Sequence, residues 1–144
     1  MPYPEELVAP MRAELTSIGI QELRDAAEVE AFLDRKSGSS LVVVNSVCGC
    51  AAGGARPGVA MALQHENTPD RSATVFAGQD VEAVAAVRAA LDGIPPSSPC
   101  IALFKDGELV HFVPRHMIEG RDAQQIAFDL VTAFDEHCTS TASS

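Results

Sequence analysis

The stretch LVVVNSVCGC, residues 41–50, followed directly by AAGGARPGV, leaves this chain few ways to fold. Four consecutive apolar residues, Leu41 to Val44, make a short strand buried on both faces, the kind found at the centre of a parallel sheet. The run ends at Asn45-Ser46, Cys48 and Cys50 follow around Gly49, and small residues able to open a helix come next. That order sets two thiols at the C-terminal edge of a sheet and at a helix N-terminus. Unpaired N–H groups and a partial positive charge there favour thiolate over thiol.

With 144 residues, the chain fits one domain, expected over 1–138, with a frayed tail at 139–144. Four scattered cysteines and 47% apolar content argue against a disulfide scaffold. The opening MPYPEELVAPMRAEL has acids where a signal peptide needs bases, and no run approaches the ~20 apolar residues of a membrane span. A cytoplasmic, reducing location follows as the expectation, and there a close cysteine pair is catalytic or metal-binding more often than structural. A net charge of −10 without a basic cluster speaks against nucleic acid or an anionic membrane as partner.

Periodicity organises the rest. A helix is expected over 4–18, with Leu7, Met11, Leu15 and Ile18 inward, Pro10 inside it and Gly19 as its stop. Ile20–Leu23 reads as a short edge strand, and Asp25 with Glu28 opens a helix burying Val29, Phe32 and Leu33. After the cysteines a helix is expected over about 51–66, kinked at Pro57 or regular only from there. A strand at 73–76 precedes a helix capped by Asp80, with Val81, Val84, Val87 and Leu91 inward. Strands at 100–104 and 109–113 flank an Asp106-Gly107 hairpin turn. A last helix over 121–137 turns Ile126, Leu130, Val131 and Phe134 inward. A βαβ unit followed by a ββα unit, with a cysteine pair after the first central strand, is the thioredoxin pattern. The expected fold is therefore α/β and thioredoxin-like: a mixed central sheet flanked by helices, with an extra N-terminal helix.

Two residue rises in a strand separate Cys48 and Cys50 by about 6.6 Å between Cα atoms, near the limit of about 6.8 Å for a disulfide. A bend is needed, and Gly49 makes one cheap. A small, strained bridge suits a labile catalytic disulfide better than a structural one. Electrostatics favour thiolate at either sulfur; by position Cys48 is the more exposed. Arg56 stabilises a thiolate or receives a substrate carboxylate, or else is a surface arginine. Arg115 and His116 are expected in a solvated loop, the alternative being that they reach the site. Cys100 is expected as a small apolar core residue rather than a third catalytic thiol, and Cys138 as either an exposed resolving thiol or an inert one.

The stretches NSVCGCAAGGARPG and SPCIALFKDGELVHFVPRHMIEGR resemble the bacilliredoxin family, and the resemblance spans roughly residues 2–138. It implies a thioredoxin fold and an oxidoreductase that removes bacillithiol from S-bacillithiolated proteins. It further implies Cys48 as nucleophile, Cys50 as the second active-site cysteine and a cis-proline at Pro99. Pro99, Arg56 and Gly49 are then the expected substrate-facing residues. Bacillithiol enters as co-substrate, with no tightly bound cofactor or metal, and S-thiolated client proteins as partners. Cys100, directly after that proline, departs from the family pattern. Three other readings stay open. One is a general protein disulfide reductase or isomerase; another, a metal or iron–sulfur carrier using Cys48, Cys50 and Cys100 as soft ligands; the third, a thioredoxin-like binding module in which the thiols are incidental.

Overall fold

A computed structural model describes residues 3–34 and 37–138; the expected tail at 139–144 lies outside them. In chain order the elements are α1 (Glu5–Thr16), β1 (Gln21–Glu22), α2 (Ala26–Leu33) and β2 (Ser39–Asn45). A π-helical turn (Ala51–Ala55) leads straight into α3 (Arg56–Ala62), followed by β3 (Arg71–Phe76) and α4 (Val81–Ala90). The chain closes with β4 (Cys100–Lys105), β5 (Glu108–Val113), a 3₁₀ turn (Arg115–Met117) and α5 (Ala123–His137).

The strands form one sheet in the order β1-β3-β2-β4-β5. All seven residues of β2 are buried, as the apolar run demands. Its neighbours differ: β3 runs parallel, with Val42 opposite Ala73, and β4 runs antiparallel, with Val42 opposite Ala102. The centre of the sheet is thus mixed, and β2 is covered by helices on both sides. Side chains alternate between two cores. Leu41, Val43, Ile101 and Leu103 meet Val59, Ile126, Leu130 and Phe134 on one face. Val42, Val44 and Ala102 meet Val29, Phe32, Val84 and Val87 on the other. Asp106 and Gly107, both with positive φ, make the two-residue turn that returns β4 into β5.

Local signals set most helix boundaries. The Asp25 carboxylate accepts the Glu28 N–H at 2.9 Å, while Glu28 takes the Arg24 N–H rather than that of Asp25. Asp122 and Gln125 form a full capping box at the start of α5. Pro57 marks where the regular helix begins, and α3 ends at Ala62 rather than 66. Before it, the glycine-rich segment takes the wider π turn. There Gly54 and Gly58 admit α5 so closely that an added Cβ would stand 2.9 and 2.7 Å from Ile126 atoms.

Several expectations fail around one buried arginine. The inward face of α1 is Val8, Arg12 and Leu15, while Leu7 and Ile18 are exposed. Arg12 lies in the interior because three carboxylates meet it. Asp80 accepts from both terminal nitrogens at 2.8 and 3.0 Å, Glu22 from one of them, and Glu5 from Nε at 2.9 Å. The guanidinium also sits 5.3 Å from the centre of the Phe76 ring. Asp80 is therefore spent on Arg12 and does not cap α4 with its side chain. Val81, expected inward, is exposed, and Val131 of α5 only partly buried.

Candidate active site

β2 delivers the chain to the sheet edge at Asn45, and everything that follows depends on how that edge is tied down. The Asn45 carboxamide oxygen accepts the Ser46 N–H at 2.9 Å and an Arg56 N–H at 2.8 Å, while its amide donates to the Met11 carbonyl of α1 at 3.2 Å. Arg56 donates again to the Ser46 carbonyl at 2.8 Å and, through Nε, to Glu14 of α1 at 2.9 Å. Arg56 is 2% exposed, so it is no surface arginine, and its guanidinium does not face the solvent from which a substrate would arrive. It fastens the loop carrying the thiols to α3 and α1. Asn45 and Ser46 read in the sequence only as the end of a strand, and Glu14 only as helix surface. Their shared partner is what gives them a role, and no local pattern announces it.

Cys48 and Cys50 are half-buried and unbonded, with their sulfurs in contact at 2.6 Å. Cys50 already has helical backbone angles, and the Ala51 and Ala52 amides close the first turn onto the Cys48 carbonyl. Gly49 between them is exposed, has no positive φ, and an added Cβ would meet no atom within 4 Å. The bend thus does not draw on glycine's conformational freedom. What Gly49 provides is a bare approach beside the thiols.

The two sulfurs differ in proton affinity. Burial pushes the Cys48 thiol up, but hydrogen bonds from Cys50, from Ser46 and from the Ala51 and Cys50 amides outweigh it, holding Cys48 at about 7 against an ordinary 9.0. Cys50 is pushed up by burial and by its place beside Cys48, with Arg115 pulling the other way. Thiolate therefore resides on Cys48 first, and Cys50 is the proton-bearing partner.

Pro99 follows a cis peptide bond to Ser98, as the resemblance implies. Pro99 is buried, and Ser98 faces a cleft of about 210 Å³ that also holds Ser46, Cys48 and Arg115. Arg115 is solvated, as expected, and also reaches the cleft, donating to the Ser98 carbonyl at 3.2 Å and to Glu119 at 3.0 Å. His116 turns away, toward a separate hollow beside Pro95 and Phe112.

The other two thiols are elsewhere. Cys100 is buried on the α2 and α4 face of the sheet, whereas Cys50 packs on the α3 and α5 face. Burial raises the Cys100 thiol to about 11. The set Cys48, Cys50 and Cys100 is thus not assembled as metal ligands. Cys138 is buried at the end of α5, its thiol raised by burial and bonded toward Ser39. Ser39 starts β2 and the reactive loop follows its end, so six strand rises, roughly 20 Å, separate Cys138 from Cys48. It is not an exposed thiol.

Among the described residues no helix is long and apolar enough to cross a membrane. The fold matches that of solved thioredoxins. Fasciola hepatica thioredoxin superposes with a TM-score of 0.56 at 20% identity, covering 82% of this chain and 99% of that one. The family profile described as disulphide isomerase matches residues 3–138. A bacilliredoxin of Cytophaga hutchinsonii is 58% identical over 134 residues, 93% of this chain and 98% of its own. One from Shouchella clausii is 52% identical over 136 residues, 94% of each chain. At that identity and coverage, with the C-G-C thiols at the sheet edge, the chain belongs to the bacilliredoxin family of thiol–disulfide oxidoreductases.

Proposed function

We propose that the protein removes bacillithiol from S-bacillithiolated proteins of the reducing cytoplasm, with Cys48 as the attacking residue. The observation that carries this is the split between two touching thiols, one held near neutrality and one held protonated. The relatives' shared name, bacilliredoxin, supports the choice of small thiol. The Cys48 thiolate attacks the bacillithiol sulfur of the mixed disulfide. The bond from that sulfur to the client breaks, the client cysteine leaves as thiolate, and a Cys48–bacillithiol disulfide forms. Cys50, once deprotonated, attacks Cys48, releases bacillithiol as thiolate and closes the Cys48–Cys50 bridge. A second bacillithiol competes for the same release, leaving Cys48 free and giving a bacillithiol disulfide. Exposed Gly49 and the wall before Pro99 form the substrate approach, and Arg56 positions the loop without touching substrate.

The test uses Cys50→Ser protein and a bacillithiolated client, read by intact mass. The expected outcome is one bacillithiol on Cys48 and a free client thiol. A client still modified, with no adduct on the protein, overturns the order of steps.

A further inference from the structure

We propose that Arg115 selects an anionic small thiol. Its guanidinium, on the wall of the cleft that holds Cys48, receives a carboxylate carried by the small-thiol half of the mixed disulfide. This rests on the reading that Cys48 takes that half onto itself.

Charge is the first argument. The protein carries a net −10, a surface that repels carboxylated ligands. Yet the residues lining the cleft beside Cys48 include a single charged one, Arg115, and no acid. Within that lining an anion meets one cation, whose present partner is Glu119.

Geometry is the second. Arg115 Nη1 donates to the Ser98 carbonyl at 3.2 Å. In strand-type docking that carbonyl, just before cis-Pro99, would accept an N–H of an extended peptide. Here Arg115 fills one of its two acceptor positions, so the guanidinium is held at the spot where the substrate meets the cleft wall. Arg115 Nε is held by Glu119 at 3.0 Å, with the two side chains 43% and 52% exposed, and among the described residues nothing is bonded to Nη2. An exposed i,i+4 pair is weak, so an incoming carboxylate can exchange with Glu119 and still form a forked contact.

The chemistry places the anion on the correct half. For Cys48 to attack the small-thiol sulfur, that sulfur must enter the cleft and the client sulfur must point outward as leaving group. The substituent of the small thiol is then the part within reach of the cleft wall. The step is an exchange: one S–S bond forms, one breaks, and the client departs as thiolate with no net oxidation.

The test compares two mixed disulfides of one client peptide, made with 3-mercaptopropionate and with 3-mercaptopropionamide, which are similar in size and differ by one charge. Release of the peptide thiol by wild-type protein at low salt is expected to be roughly fivefold faster for the propionate, and the preference should fade as salt is added. Arg115→Gln should bring the ratio to about one, Arg115→Lys should keep part of it, and Glu119→Gln should enlarge it. A wild-type ratio of one with brisk exchange on both substrates overturns the inference and leaves the proposed function standing. So does equal slowing of both substrates by Arg115→Gln, which would mean that the guanidinium acts only on the protein's own thiols. Absence of exchange with either substrate overturns the reading of Cys48, and the inference with it.

Discussion

The four cysteines form two pairs with the same side chain and opposite fates. Cys48 and Cys50 stand beyond the C-terminal end of β2, sulfurs touching, where amide N–H groups and a hydroxyl converge on one of them. Cys100 and Cys138 are buried, and burial, the largest influence on each, pushes both thiols up against a single hydroxyl contact, Ser97 at Cys100 and Ser39 at Cys138. Burial also opposes thiolate at Cys48, where it is the largest single influence. The difference is the number of hydrogen-bond donors: a helix start gathers several on Cys48, where each buried thiol has one hydroxyl. Reactivity here belongs to an address at the end of a strand, and the residue type is only a precondition.

The comparison can be broken most severely at Cys48. Cys48→Ser should cut exchange by at least about a thousandfold while leaving the melting transition intact, because the side chain is no part of either core. Near-wild-type exchange in that variant would move the nucleophile to Cys50.

A smaller effect concerns pH. With Cys48 at about 7, the thiolate fraction, and with it the exchange rate, should fall about tenfold from pH 8 to pH 6, where an ordinary thiol near 9 would lose roughly ninetyfold. The sign follows from the lowered value: activity is largely retained above neutrality and lost as protons return to Cys48. Cys50→Ala removes one of the donors, so its profile should shift to higher pH. An unmoved profile would assign the lowering to Ser46 and the backbone amides alone.

At the buried pair the prediction reverses. Cys100→Ser puts a hydroxyl into an apolar interior and should cost about 1–3 kcal/mol of stability, read by denaturant unfolding, with exchange kinetics unchanged. Cys138→Ser should fall in the same range, because one hydroxyl stands by each thiol, Ser39 here and Ser97 at Cys100. A change in recycling rate in either variant would return that residue to the chemistry.

The smallest effect tests the space beside the reactive pair. Gly49→Ala meets no atom and no positive φ, so stability should stay within about 0.5 kcal/mol of wild type. Slower exchange with an unchanged melting temperature would then report the methyl group standing in the substrate's path.

The topology was legible because its signals are local. A buried apolar run names the central strand, Asp106-Gly107 names a hairpin, and Asp25 names a helix start. The thiols were legible for the same reason: a C-x-C after such a strand has one place to be. The charged interior was not. Arg12 and Asp80 are 68 residues apart; alone, the first looks like helix surface and the second like a helix cap. With Arg12 read as polar, the apolar spacing sets the inward stripe of α1 on Leu7 and Ile18. Arg56 failed likewise, since its acceptors include the Ser46 carbonyl, a backbone atom with no identity in sequence. Arg115 is the reverse case. It reads as loop, and only the return of the chain beside Ser98 brings it to the cleft.

The close approach of Gly54 and Gly58 to Ile126 bears on where this molecule can move as it cycles. With no side chain between them, the start of α3 and α5 are locked backbone against side chain, a contact with little slack. Opening and closing the cysteine bridge must then be absorbed upstream of Ala51, in the few residues between Asn45 and Cys50. The redox cycle becomes a motion of one short loop on a fixed frame. Amide protection in α3 and α5 should be the same in both oxidation states, and the difference should be confined to that loop.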